Sequence, residues 1–144
     1  MRFEPFHPDH WLDLVFPTGL DYLYDLSVDP KWRQMWYQPG LSWSAFDGPL
    51  PQAIFGMLPM RDRVFMAWAM FDREIGPRRF SAVTQFARRW GDMLLSSGVR
   101  RIEAVVKDDF TVGKRYCELL GGAQEGFCRK WDGKNDFWLY ARTA

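Results

Sequence analysis

The chain has 144 residues, of which 47% are hydrophobic and 26% are charged, and its formal net charge at pH 7 is +1. This length suits one domain with one sizeable core, and the apolar content excludes an intrinsically disordered chain. The small net charge gives no global bias towards nucleic acids or membrane surfaces. No apolar run approaches the roughly 20 residues of a membrane span, and the first residues have no signal-peptide pattern, so we expect a cytoplasmic protein.

Aromatic residues make up 17% of the chain and include eight tryptophans. This excess predicts either a heavily aromatic core or an aromatic surface for a ligand or partner. The two cysteines, Cys117 and Cys128, are expected to be free thiols, because a reducing compartment is the default for so few cysteines. His7 and His10 give no metal-ligand pattern, so no metal site is predicted.

The first forty residues predict a strand followed by short helices. Residues 2–6 alternate between polar and apolar side chains, which is compatible with an edge strand. Apolar clusters in 11–15 and 20–26 favour two short helices. Asp29 and Pro30 predict the start of a third helix over 31–37, because aspartate caps a first turn and proline fits the first helical position.

Three strands are predicted next, over residues 41–46, 52–58 and 64–71. The turns between them are short, so the three strands are expected to form an antiparallel meander. Gly56 lies inside the second strand and predicts a bulge or a close approach of another group.

The central stretch from Arg63 to Asp109 predicts a strand, a tight basic turn, a helix and a strand over 101–106. The helix begins at Pro77, where the missing N–H costs nothing, and ends at 96–98. Its apolar face is formed by Phe80, Val83, Ala87, Trp90 and Leu94. A strand that leads through a glycine turn into a helix suits a phosphate group, because unpaired N–H groups and the helix dipole point at the ligand.

The C-terminal third predicts a helix over 109–120, which Gly121 and Gly122 end. Strands over 123–131 and 136–142 flank a turn and predict a hairpin. The whole chain is therefore predicted to be one α/β domain over 1–144. Its mixed central sheet would carry helices on both faces and a C-terminal β-hairpin.

This order of elements resembles the GCN5-related N-acetyltransferase (GNAT) fold over essentially the whole chain. Arg73-Glu-Ile-Gly76-Pro-Arg78 partly matches the family's pyrophosphate loop, Arg/Gln-x-x-Gly-x-Gly/Ala. Tyr116-Cys-Glu-Leu-Leu-Gly121 is similar to part of the family's Asn-x-x-Ala…Tyr-x-x-x-Gly-Phe segment. Among its subgroups, the chain resembles the short acetyltransferase-like proteins of bacteriophages, which would imply the host cytoplasm.

The resemblance implies transfer of an acetyl group from acetyl-CoA to a primary amine of a small molecule or protein. It implies a slot where the strands over 64–71 and 101–106 splay apart, and an acceptor that meets the aromatic region 31–46. The pantetheine would pair with the strand backbone and the pyrophosphate with the loop and helix start. The implied cofactor-binding residues are Ala69, Phe71, Arg73, Gly76, Arg78 and Arg79.

The loop departs from the family pattern at two positions. Pro77 lacks an N–H, and Arg78 replaces a small residue, so both weaken an anion nest. Arg78 and Arg79 either replace the lost donors with charge-assisted bonds or are solvated side chains of the first turn. The alternative function is therefore a catalytically inactive binding protein with this fold, virion-associated or acting on a host protein.

The resemblance implies a general acid that corresponds to one of two neighbouring residues in this sequence. Alignment on Asp109 places the family's tyrosine on Tyr116, and alignment through Gly121 places it on Cys117. Either group could protonate the departing CoA thiolate, and either could instead be part of the core. Tyrosine is the usual acid in the family, which favours Tyr116.

The best-placed candidate for the general base is Glu103, which interrupts an apolar strand. Burial there would suit it to base work, whereas a solvent-facing position or an ion pair with Arg101 or Lys107 would not. Asp72, at the end of the preceding strand, is a second candidate.

The arginine pairs at 78–79, 88–89 and 100–101 are interpreted as scattered surface charges, because the net charge is only +1. The predicted partners are therefore acyl-CoA and an amine acceptor, with no nucleic acid and no membrane. The sequence leaves the oligomeric state open, with a dimer as one option.

Overall fold

The computed structural model describes residues 1–144, the whole chain. The seven strands are Arg2–Pro5 (β1), Ser42–Phe46 (β2), Pro51–Arg61 (β3), Val64–Phe71 (β4), Arg101–Lys107 (β5), Ala123–Cys128 (β6) and Phe137–Thr143 (β7). The four α-helices are Tyr24–Ser27 (α1), Pro30–Met35 (α2), Gly76–Ser96 (α3) and Thr111–Leu119 (α4). Two 3₁₀-helices cover Pro8–Asp13 and Asp21–Leu23. No helix is both long enough and apolar enough to cross a membrane.

The strands form one seven-stranded sheet in the order β1-β2-β3-β4-β5-β7-β6. The pairs β1–β2, β2–β3, β5–β7 and β6–β7 are antiparallel, whereas β4 and β5 are parallel. A parallel pair needs a crossover, which α3 supplies between β4 and β5. The predicted mixed α/β fold and its C-terminal hairpin are confirmed.

By their internal contacts the residues group into two compact units. The first unit comprises Met1–Leu58 and Trp68–Val83, and the second comprises Pro59–Ala67 and Thr84–Ala144.

Four tryptophan rings pack against one another in the first unit. Trp11 stacks on Trp68 with ring centroids 5.7 Å apart, and Trp36 lies 5.3 Å from Trp68. Trp32 packs edge-on against Trp11 at 4.8 Å. Part of the aromatic excess of the sequence therefore belongs to a core. Gly56 permits this packing, because a Cβ there would lie 2.8 Å from Trp68 Nε1, and the predicted close approach is confirmed.

The helix predicted after Asp29 is confirmed as α2. The Asp29 carboxylate accepts a hydrogen bond from the Lys31 N–H at 2.9 Å, and Pro30 occupies the first turn. The segment 20–26 differs from the prediction, because it forms a 3₁₀ turn followed by the single turn of α1. α1 ends at Ser27, where the Arg33 guanidinium donates hydrogen bonds to the carbonyls of Ser27 and Val28.

In the second unit, α4 packs on β5 and β7 through Cys117, Val106 and Tyr140. It begins at Thr111 instead of the predicted Asp109, whose carboxylate accepts a hydrogen bond from Lys107 Nζ at 2.9 Å.

The predicted strand 123–131 is also shorter and ends as β6 at Cys128. Lys130 adopts a left-handed backbone with a φ of 51°, so the chain leaves the extended conformation before residue 131.

Candidate functional site

The turn between β4 and α3, in the first unit, is organised by Asp72. One of its carboxylate oxygens accepts the Glu74 N–H at 3.0 Å, and the other accepts the Val15 N–H at 3.0 Å. Its carbonyl accepts the Ile75 N–H at 3.2 Å. Asp72, the second candidate base, therefore acts as a structural acceptor that shapes the turn.

Arg73 fastens the same turn to the chain segment at Val15 and Phe16. Its N–H donates to the Val15 carbonyl at 2.7 Å, and its Nε donates to the Phe16 carbonyl at 2.9 Å. The N–H groups of residues 73, 74 and 75 are thus all bonded within the protein. The part of the predicted pyrophosphate loop that precedes Gly76 is therefore already occupied by internal hydrogen bonds.

The start of α3 is the part of the predicted loop that retains anion-binding geometry. Gly76 has a φ of 74°, a left-handed conformation that favours glycine. Of the N–H groups that precede the first intrahelical hydrogen bond, those of Gly76 and Arg78 have no acceptor within the helix, and Pro77 contributes none. The helix is 21 residues long, so its dipole adds a positive potential at this end.

The structure separates the two arginines that the sequence left equivalent. Arg79 Nε donates to Asp47 Oδ2 at 2.7 Å, and this hydrogen bond and the arginine charge lower the pKa of Asp47. Arg78 is exposed. Arg78 is therefore the arginine whose side chain is available to a phosphate, while Arg79 is held at Asp47.

The predicted pantetheine strand is β4. Its register with β5 covers Val64–Arg101 to Met66–Glu103, and β4 then continues to Phe71. Phe71 is buried and packs against Phe80 of α3 at 5.2 Å, while Ala69 is half-buried.

Tyr116 and Cys117, the candidate acids, are both buried on α4 in the second unit. Burial raises the pKa of the Tyr116 phenol far above its usual range. Burial, with a smaller contribution from Glu118, raises the pKa of the Cys117 thiol to about 12. Both groups therefore stay protonated at neutral pH.

Glu103 lies in a network of ion pairs on β5. Its Oε2 accepts from Arg101 Nε at 2.8 Å and from Arg61 Nη2 at 3.3 Å. Arg101 also forms a bidentate pair with Glu125 at 2.8 and 3.3 Å. The structure thus shows the pairing with Arg101 that the sequence left as an alternative to a catalytic role.

The Glu103 side chain and Cys117 of α4 lie on opposite faces of β5. Ala104 and Val106 pack with Cys117, and side chains alternate along a strand, so Glu103 projects from the other face. The structure therefore does not bring the candidate base and this candidate acid together.

The buried guanidinium of Arg33, in the first unit, was not predicted from the sequence. Its side chain is only 10% exposed and pairs with Asp9. No sequence signal marks it, because an arginine inside a short helix is ordinarily on the surface.

The architecture is shared with many solved acetyltransferase structures. A protein provisionally assigned as a phosphinothricin N-acetyltransferase superposes with a TM-score of 0.73 and 18% identity, over 99% of this chain and 97% of that one. The aminoglycoside 6'-N-acetyltransferase from Enterococcus faecium gives a TM-score of 0.71 and 16% identity, over 99% and 97%. A GNAT-family acetyltransferase from Bacillus anthracis gives 0.71 and 13%, over 98% and 93%.

The chain therefore has the fold of the GCN5-related N-acetyltransferases, and the fold implied by the sequence resemblance is confirmed. No protein-family model matches the sequence, and no curated protein matches it either. At these identities the structural likeness concerns the fold.

Proposed function

We propose that the protein is an acyl-CoA-dependent N-acyltransferase that transfers an acetyl group from acetyl-CoA to a primary amine of a small molecule or protein. The observation that carries the proposal is the start of α3. There, the left-handed Gly76 opens a 21-residue helix directly after β4, in a chain with the acetyltransferase fold. Such a helix start offers N–H donors and a positive dipole to a pyrophosphate.

In this proposal, the CoA pyrophosphate accepts hydrogen bonds from the N–H groups of Gly76 and Arg78. The exposed Arg78 side chain adds a charge-assisted contact. Arg73 contributes indirectly, because its bonds to Val15 and Phe16 fix the turn that presents these donors. The pantetheine arm pairs with the backbone of β4 around Ala69 and Phe71.

We further propose that Cys117 occupies the position of the family's tyrosine. The support is Gly121, which follows α4 with a φ of 90°, a conformation that favours glycine and anchors the alignment through that residue. A thiol with a pKa of about 12 is a weak acid, so its contribution to thiolate protonation would be small. Tyr116 retains its proton even more strongly and is subject to the same argument.

A catalytically inactive binding protein with the same fold is the second candidate. It is favoured by the internal bonding of the N–H groups of residues 73, 74 and 75, which leaves fewer donors for a pyrophosphate. Turnover of acetyl-CoA with any primary amine would eliminate this candidate.

The first test is calorimetric titration of acetyl-CoA into the purified protein, with desulfo-CoA and ATP as comparison ligands. Gly76→Asp should weaken binding by at least about tenfold, because it places a carboxylate where the pyrophosphate would lie. Gly98→Asp is the matched control, since Gly98 follows α3 at its other end, also has a positive φ and also faces open space. Equal weakening by both substitutions, or no binding by the wild type, would contradict the proposed site.

A second pair of variants tests the separation of the arginines. Arg78→Ala should weaken acetyl-CoA binding, while Arg89→Ala, at an exposed arginine farther along α3, should leave it unchanged. An unchanged affinity for acetyl-CoA in Arg78→Ala would show that the Arg78 side chain does not contact the pyrophosphate.

A further inference from the structure

Residues 21–28 form a short helical segment of the first unit, a 3₁₀ turn followed by the single turn of α1. Its outward side, which we call the α1 face, carries four large apolar side chains that are between 41% and 63% exposed: Tyr22, Tyr24, Leu26 and Val28. Folded proteins seldom expose so many large apolar side chains together, and such a patch marks an interaction surface. The proposed acyl-CoA site uses none of these residues.

The segment is held from its inner side, so the α1 face is already formed. Leu20 and Ser27 are buried, and Ser27 Oγ donates to the Tyr24 carbonyl at 2.8 Å. The buried Arg33 guanidinium donates from Nη1 to the carbonyls of Ser27 and Val28 at 2.8 and 3.1 Å. A partner would therefore bind this face with little reordering of the backbone.

The α1 face also carries negative charge. Asp21 and Asp25 are exposed, form no ion pair and lie four residues apart, which is the spacing of neighbours on a helical surface. Asp29 follows at the same spacing and uses one carboxylate oxygen to cap α2. Residues 10–29 contain four aspartates and no lysine or arginine, in a chain whose formal net charge is +1. The local potential is therefore negative, although the chain as a whole is not.

This combination of apolar and acidic side chains selects among possible occupants. Nucleic acids and anionic lipid surfaces would be repelled by the carboxylates. A second copy bound through the same face would place Asp21 and Asp25 against like charges, because a two-fold contact brings the same patch of both copies together. A partner that carries cations and apolar side chains on one surface matches both features of the face.

We propose that the α1 face binds a cationic amphipathic helix of another protein. Lysine or arginine side chains of the partner would pair with Asp21 and Asp25, and its apolar side chains would pack on the exposed apolar side chains of the face. A helix presents both kinds of side chain on one side at three- and four-residue spacing. This binding requires no acyl-CoA, so the inference does not rest on the proposed function.

The test is a fluorescence anisotropy titration of the full chain into labelled peptides of about 14 residues, which span about 20 Å as helices. The first peptide is an amphipathic helix of leucine and lysine, the second replaces every lysine by glutamate, and the third replaces every leucine by serine. We expect the leucine–lysine peptide to bind with a Kd of about 100 μM or tighter, and the other two at least about tenfold more weakly. Equal binding of the leucine–lysine peptide and either counterpart, or no saturable binding of it, would overturn the proposal.

Two double substitutions test the role of the carboxylates. Asp21→Asn with Asp25→Asn removes two charges from the α1 face and should weaken binding of the leucine–lysine peptide at least about fivefold. Asp62→Asn with Glu118→Gln makes the same change of net charge at exposed carboxylates of the second unit and should leave the affinity unchanged. Equal effects of the two double substitutions would show attraction to the chain's overall charge and would overturn the proposal.

A matched pair of valines tests the apolar contact. Val28 is 52% exposed in the α1 face, and Val112 is 46% exposed in the second unit. Val28→Ser should weaken binding of the leucine–lysine peptide at least about threefold, whereas Val112→Ser should not, and an unchanged affinity in Val28→Ser would overturn the proposal. Sedimentation velocity of the chain alone tests the remaining occupant. A dimer that Val28→Ser dissociates would show that a second copy covers the α1 face, which would also overturn the proposal.

Discussion

At the scale of single residues, His10 shows how one imidazole can join two distant segments. Its Nδ1 accepts the N–H of His7 at 3.2 Å and lies 2.7 Å from Ser44 Oγ of β2. Burial, and to a smaller degree the neighbouring His7, lowers the pKa of His10 below 6.5. The folded protein therefore favours the neutral imidazole.

This lowered pKa makes stability depend on pH in a defined direction. Below about pH 6.5 the unfolded chain binds a proton at His10 that the folded chain resists, so the free energy of unfolding rises with pH through this window. The contribution is fully present above pH 6.5 and decreases as the pH falls towards the lowered pKa. We expect the thermal midpoint to drop between about pH 7.5 and pH 5.5, and His10→Asn to flatten that drop.

His7→Asn is the matched control for this prediction, because asparagine can still cap the 3₁₀-helix and His10 remains in place. This variant should retain most of the pH dependence, because burial, the larger cause of the lowered His10 pKa, is unchanged. If His10→Asn and the wild type lose stability in parallel on acidification, another group is responsible.

At the scale of elements, two glycines in helices have opposite roles. Gly113 lies in α4 where a Cβ would be 2.5 Å from a ring carbon of Phe110 and 2.9 Å from Val106 Cγ1. Gly91 lies in α3 where the nearest atom to a Cβ would be 3.6 Å away, which is ordinary van der Waals contact. Local sequence does not distinguish the two positions.

We therefore expect Gly113→Ala and Gly91→Ala to change stability with opposite signs. Gly113→Ala should lower the free energy of unfolding by about 1–3 kcal/mol, because the added methyl overpacks the α4–β5 contact. Gly91→Ala should raise it by up to about 1 kcal/mol, because alanine reduces the entropy of the unfolded chain and fits the helix. Urea denaturation measures both, and a gain from Gly113→Ala would show that Phe110 moves aside easily.

At the scale of the whole molecule, the fold survives at 13–18% identity to the structures compared. The order of strands and helices, more than any single motif, carries the likeness.

One network of ion pairs connects side chains of the three strands β3, β5 and β6. Its members are Arg61, Arg101, Glu103 and Glu125. Glu103 therefore has a structural role in this network that is independent of any catalytic role.

Replacement of Glu103 by glutamine distinguishes that duty from base catalysis. If the protein acetylates an amine, we expect Glu103→Gln to lower kcat less than about tenfold, because a carboxylate shared by two guanidinium groups is poorly available as a base. A fall in kcat of about a hundredfold or more would assign the base to Glu103. Glu125→Gln, which breaks the other carboxylate contact of Arg101, serves as the control for loss of the network.

The elements whose signals are local could be predicted from the residues alone. The three- and four-residue spacing of Val83, Ala87 and Trp90 predicted the buried face of α3, and all three are buried. Asp29 and Pro30 marked the start of α2, and the glycine turn marked the helix start of the candidate site. In each case the physical cause acts within a few residues, either as helical periodicity or as a capping hydrogen bond.

The contacts of these groups, in contrast, follow from the folded arrangement of distant segments. Asp72 and Arg73 were predicted as a candidate base and a cofactor ligand, yet their bonds are to Val15 and Phe16, which lie 57 residues away in the chain. The burial of Arg33 and its pairing with Asp9 have the same origin, since the partner is 24 residues distant. Hydrogen bonds and ion pairs of this kind depend on which segments the fold brings together, and no local pattern of residue types encodes that choice.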